Sequence, residues 1–146
     1  MSLRARFPRP NIALQVAHLE QSFRMDAVRS LCTEFAEANE ETMTAILDEA
    51  VRFAEDFLVP LNDKMDEQGV RLFEGRVETA EGHRQAWKAF VEGGWPSMDH
   101  QAEWGGQELP LALGLGVQEI FDRVCPAFGM LPVPQRSAAR LIAAFG

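Results

Sequence analysis

Residues 43–69, MTAILDEAVRFAEDFLVPLNDKMDEQG, decide the fold class. Met43, Ile46, Leu47, Ala50, Phe53, Ala54, Phe57, Leu58, Leu61 and Met65 recur at helical steps. At about 3.6 residues per turn, that spacing puts all of them on one face of a helix. Asp48, Glu49, Arg52, Glu55 and Asp56 fall on the opposite, solvated face. Pro60 has no backbone donor, so a kink is expected near Phe57; the stripe continues in register past it, which argues against a break. Gly69 supplies a left-handed stop.

Outward from this helix, the chain reads as helical on both sides. A weak stripe of Ile12, Val16, Leu19 and Phe23 predicts a helix over residues 12–23. A second helix is predicted over 26–38, with Asp26 as N-cap and Val28, Leu31, Cys32 and Phe35 buried. Residues 1–10, MSLRARFPRP, combine prolines and arginines without an acid and read as an extended, poorly ordered arm. On the other side, residues 70–79 alternate imperfectly around Glu74-Gly75 and suggest a small hairpin or an extended excursion. Helices are predicted over 81–92, ended by Gly93-Gly94, over 111–124, stopped by Pro126, and over 135–145 after a proline-broken segment, 127–134. The prediction is an all-α helical bundle of five or six helices, divided into an arm with extension helices (1–39) and a main helical domain (40–146).

The 146 residues fit one domain with a real core, and 47% of them are hydrophobic. The formal net charge is −8. Neutralising phosphates takes an excess of Lys and Arg, so this balance argues against nucleic acid and against an anionic membrane surface. The acidity is concentrated in residues 34–81, with 14 acids and 4 bases, a net of −10. No apolar run approaches the roughly 18 residues of a membrane span, and no signal-peptide core is present. Cys32 and Cys125 are expected as reduced thiols, and the compartment as the cytoplasm.

Residues that could carry chemistry do not assemble into a site. His18, His83 and His100 lie on separate segments, and a metal needs three or four converging ligands. Asp63, Asp66 and Glu67 follow a helical stripe rather than a calcium loop. Gly114-Leu115-Gly116 lacks the third glycine, the strand and the distal acid of a dinucleotide fingerprint, and is expected to let a neighbouring helix approach. Ser97 has no glycine-framed elbow, and neither cysteine has an adjacent base. No catalytic, cofactor or metal residue is assigned.

The long loop is different. Residues 90–110, FVEGGWPSMDHQAEWGGQELP, pair flexible glycines with Trp95 and Trp104, which are expected to be two aromatic anchors of an ordered loop. Gly94-Trp95 followed by Glu103-Trp104-Gly105-Gly106-Gln107-Glu108-Leu109-Pro110 resembles the N-terminal helical domain of the FAD-dependent acyl-CoA dehydrogenases, where the segment reads "aGW…peyGGqGLP". Upstream, PLNDKMDEQGVRLFEGRVETAEGHRQAWKAFVEGGW is similar to the larger, 3-methylmercaptopropionyl-CoA dehydrogenase-type branch, and AFGMLPVPQRSAARLIAAFG resembles the helix leading into the flavin-binding domain. The likeness covers residues 40–146. Glu108 stands for a usual glycine, Ala80 for a proline and Ser137 for a glycine.

The resemblance implies an enzyme that oxidises acyl-CoA thioesters to enoyl-CoA. In such enzymes a glutamate on a C-terminal bundle takes the α-proton while hydride passes to the flavin. It further implies that the FAD and this base lie outside these residues, so that the chain binds no FAD alone. This domain would contribute part of the acyl-chain wall from residues 128–135, and Met130, Val133 and Pro134 carry over as wall residues. The chain is thus expected to be a fragment or split part of such a flavoenzyme, inactive alone, binding acyl-CoA only with the rest. It is expected to homo-oligomerise or meet a partner chain through apolar faces on the final helix and the Gly-Gly loop. A stand-alone helical interaction module, or an acyl carrier, is the other reading; the DNA immediately after the codon for Gly146 separates them.

Overall fold

A computed structural model describes residues 7–146. Among these residues six helices surround one core: α1 (Ile12–Ser22), α2 (Met25–Leu31), α3 (residues 40–68), α4 (His83–Glu92), α5 (Leu111–Val124) and α6 (Pro132–Phe145). A single helical turn, Pro126–Gly129, precedes α6, and short 3-10 turns sit at Thr33–Phe35, Trp95–Ser97 and Ala102–Trp104. The only strands among the described residues are β1 (Arg71–Phe73) and β2 (Arg76–Glu78), an antiparallel hairpin.

The central rod is α3, and its apolar stripe is the spine of the core. Met43, Leu47, Ala50, Phe53, Ala54, Leu58 and Leu61 are buried, with Ile46, Phe57 and Met65 packed against them. Pro60 neither breaks nor sharply stops the rod. The chain widens instead into one π turn over Ala54–Leu58, in which the Val59 amide donates to the Ala54 carbonyl. Proline cannot donate to the carbonyl four residues back and its ring crowds that group; the wider turn absorbs both problems. Val51 and Val59, off the predicted stripe, are also buried. Around Phe53 the aromatic rings converge: Phe57 at 5.1 Å, Phe121 at 5.3 Å, Phe90 and Trp95 each at 6.1 Å. Such tilted and stacked pairs add to the burial of their area.

Several expectations need correction. The second helix starts at Met25, one residue ahead of Asp26, and ends at Leu31. Arg24, in the left-handed region (φ 53°), occupies the cap position, so Asp26 is not the N-cap and lies in the first turn. Met25 is the buried residue of this helix; Leu31 is exposed. The helix stops where Cys32 turns extended (φ −119°, ψ 98°), and Arg29 ties the returning chain by reaching Glu20 Oε1 at 2.6 Å and the Ala38 carbonyl at 3.0 Å. Of the expected loose arm, residues 1–6 lie outside the described residues. Residues 7–10 lie along α3, where Arg9 grips Glu55 through two bonds of 2.8 and 3.0 Å. Pro126 opens a helical turn rather than merely ending α5, and the last helix begins at Pro132 instead of Gln135. Gly69 does end α3 with φ 60°, but at ψ −154°, an extended glycine geometry outside the left-handed helical well.

α1 packs on α3 and touches α5, α5 packs on α3, and α4 closes against the second half of α3. Val16, Leu19, Met25 and Ala38, all ahead of residue 40, belong to this same core. Gly116 of α5 makes the close approach expected of it: a β-carbon there would sit 3.4 Å from Leu47 on α3.

Candidate functional site: a pinned loop and an inverted helix

Gly94 turns the chain out of α4 with φ 74°, which a glycine adopts without strain. A side chain there would also collide with Gln107, whose Nε2 donates to the Gly94 carbonyl at 3.0 Å. Trp95 then drops into the core, perpendicular to Phe121 at 5.5 Å. The loop closes on itself through backbone bonds from Gln107 to Ser97, from Glu108 to His100 and from Leu109 to Met98, at 3.2, 2.9 and 2.9 Å. Gly106 is held so close to His100 that any β-carbon would overlap the His100 carbonyl. Glu108 adopts φ 53°, the conformation for which a glycine is best suited, and its carboxylate accepts from the Ala102 amide at 3.0 Å. That bond offsets the strain, which is how a glutamate stands at this position. Trp104, expected as a second anchor, is 70% exposed and packs into no core among the described residues.

Asp99 ties this loop to α6. Its side chain is 1% exposed, and Oδ2 accepts from Arg136 Nη2 at 2.5 Å and from Arg140 Nη2. Its other oxygen, Oδ1, is buried without a hydrogen-bond partner among the described residues. Gly114 on α5 leaves the space through which Arg136 arrives; a β-carbon there would lie 2.7 Å from the guanidinium. Two charge-assisted bonds on one buried carboxylate fix the rotation of α6 about its axis.

That rotation turns α6 inside out. Its arginines face the protein, while Leu141, Ile142 and Phe145 face solvent. The chain is helical in path from Met130 onward, which places the three proposed wall residues. Met130 and Pro134 extend the side of Leu141 and Phe145, while Val133, three residues before Arg136, lies toward the arginine side. All three are exposed, Met130 by 64%. None of them is core; Pro132 between them is the buried residue.

Sequence reading missed the groups that hold this surface in place. Gln118, buried on α5, donates from Nε2 to Asp122 Oδ1 and to the Gly129 carbonyl, both at 2.8 Å, and so fixes the turn ahead of α6. A lone glutamine inside an apolar stripe is the one signal of it. Cys125 Sγ contacts Met65 Sδ at 3.8 Å beneath the same turn, and burial pushes its thiol pKa up. His83 opens α4 with its ring 6.0 Å from Phe128; burial, and secondarily the charge of Arg84, hold its pKa below the ordinary histidine value. Both cysteines are free thiols, with Cys32 only half-buried. No three His, Cys, Asp or Glu side chains gather as metal ligands among the described residues, and no helix there is long and apolar enough to cross a membrane.

Comparison with known proteins bears directly on this surface. Residues 40–146 match the model of the acyl-CoA dehydrogenase N-terminal domain. Over 126 residues, 86% of its length, the chain is 33% identical to the 3-methylmercaptopropionyl-CoA dehydrogenase of Ruegeria pomeroyi. That match extends ahead of residue 40, into the segment the motifs do not reach. It takes in 21% of the relative, so the chain spans about a fifth of that protein's length.

Proposed function

The chain belongs to the acyl-CoA dehydrogenase family, as its N-terminal domain, and from that premise we propose that it is the N-terminal helical part of a flavoenzyme that oxidises acyl-CoA thioesters to enoyl-CoA. In this reading the domain holds the acyl-chain wall and the docking face for the flavin-carrying part. Met130, Val133 and Pro134 line the chain of the substrate, and the outer face of α6 packs on the flavin-carrying part.

The observation that supports it is the inversion of α6. Helices on a monomer's surface turn apolar residues in and charges out, and contiguous exposed apolar patches mark interaction sites. Here Asp99 pins the helix the other way round. A helix held with its arginines inward and Leu141, Ile142 and Phe145 outward is built to be covered.

The family's FAD does not fit the described residues alone. A cleft of about 600 Å³ lies between the His100–Trp104 loop and α6. Its arginine, Arg140, is already committed to Asp99, and no glycine-rich turn opens a helix there to cradle a diphosphate. No step of the oxidation is therefore assigned to this chain's side chains. The test is direct. The purified chain, shown to be helical by circular dichroism, is incubated with FAD and then desalted. The expected outcome is no retained flavin absorbance and no dye reduction on adding acyl-CoA. Retained flavin or turnover overturns this division of labour.

A further inference from the structure

The β1–β2 hairpin projects from the bundle, and nothing among the described residues covers it. Val70, Leu72, Phe73 and Val77 are exposed, Leu72 by 77% and Val77 by 59%, and none of them joins the core. The turn is Glu74-Gly75, both with positive φ (49° and 73°), the tight two-residue geometry that suits a hairpin's twist. The register pairs Arg71 with Glu78, Leu72 with Val77, and Phe73 with Arg76. In a hairpin with a two-residue loop the pair flanking the loop exchanges hydrogen bonds, and the pairs then alternate. Arg76 and Glu78 therefore spend their backbone groups on β1. The amide and carbonyl of Val77 point away from β1, at the free edge.

We propose that this edge pairs antiparallel with the same edge of a second copy of the chain, around a two-fold axis at Val77, forming a four-stranded sheet. The axis makes Val77 and its symmetry mate a hydrogen-bonded pair, so each Val77 amide meets the other's carbonyl. It also places Arg76 opposite Glu78 of the second copy, and Glu78 opposite Arg76, at the closer spacing of a non-hydrogen-bonded pair. Charged residues on an edge strand ordinarily keep it from pairing. Here their order, Arg-Val-Glu, is self-complementary under a two-fold. The β1 edge has no such match, because Arg71 would face Phe73. One face of the new sheet joins Leu72 and Val77 of both copies into an apolar stripe. On the other, Arg71, Glu78 and Arg76 of the second copy alternate in sign along one row. The contact is small, so the dimer is weak and concentration-dependent.

Sedimentation equilibrium of the whole chain tests this. The wild type is expected to show reversible dimerisation. Arg76→Glu and Glu78→Arg each put like charges face to face twice and should weaken it by roughly tenfold or more. Combining the two swaps restores opposite charges across the axis and should restore the dimer. Within one hairpin the double swap restores nothing, because Glu78 faces Arg71 and Arg76 faces Phe73. Rescue therefore requires the second copy. A monomer at every concentration, a dimer indifferent to the single swaps, or a loss the double swap does not reverse overturns the proposal.

Discussion

Asp99 carries a charge to a place where its side chain is 1% exposed, and two arginines meet it there. Breaking a buried pair from one side leaves the other charge stranded, which costs more than the pair itself contributes. Arg136, with its side chain 12% exposed against 38% for Arg140, is the more buried of the two partners. Asp99→Asn keeps the shape and removes the charge, and should lower stability by about 3–5 kcal/mol. Urea denaturation reads this as a lower midpoint with an unchanged slope; an unchanged midpoint would mean the arginines are content in solvent. None of this was legible in the sequence. Asp99 sits in a loop of polar residues, and its partner Arg136 lies 37 residues downstream. Gly114, read only as a small residue for close packing, proves to be the space that guanidinium needs.

At the scale of elements, what a period could show was legible and what a long-range contact imposed was not. The ten-residue stripe of α3 announced the central helix because every buried position repeats with the helix's own turn. The π turn before Pro60 preserved that face, and the buried set also takes in Val51, four residues after Leu47 and three before Ala54, and Val59, beside the predicted stripe. α2 was misread by its cap because Arg24 takes a left-handed conformation that sequence preference gives to glycine or asparagine. The amphipathic pattern of α6 was visible, but a pattern does not say which face is covered, and a bound carboxylate decides it. Gly93, Gly94 and Gly106 of the 93–110 loop are points of close approach as read, whereas Gly105 serves only its positive φ of 78° and faces open space. Gly106 is the strictest, since a β-carbon would enter the His100 carbonyl. Gly106→Ala should therefore cost about 1–3 kcal/mol by forcing the loop apart. Thermal unfolding measures it, and a wild-type midpoint would show that the loop yields without cost.

For the whole molecule, the fold explains how a domain with a complete core can still present an incomplete surface. Around Phe53 the packing is closed, from α1 to the turn ahead of α6. Outside it, Met130, Pro134, Leu141 and Phe145 form an apolar outer face that the described residues leave bare, with Val133 and Ile142 exposed on either side of it. The family match covers this surface, and the relative from Ruegeria pomeroyi has about four-fifths of its length beyond the matched stretch. Met130, Val133 and Pro134 are proposed as wall residues from their position in a motif, and in the structure all three are exposed on a helical segment that Asp99 holds in place. The measurement that tests this most directly is a chimera. This chain replaces the matched N-terminal stretch of the relative, and flavin content and dye reduction are measured with 3-methylmercaptopropionyl-CoA. A flavin-replete chimera that turns over is predicted; one that holds its flavin yet oxidises no acyl-CoA would contradict the account.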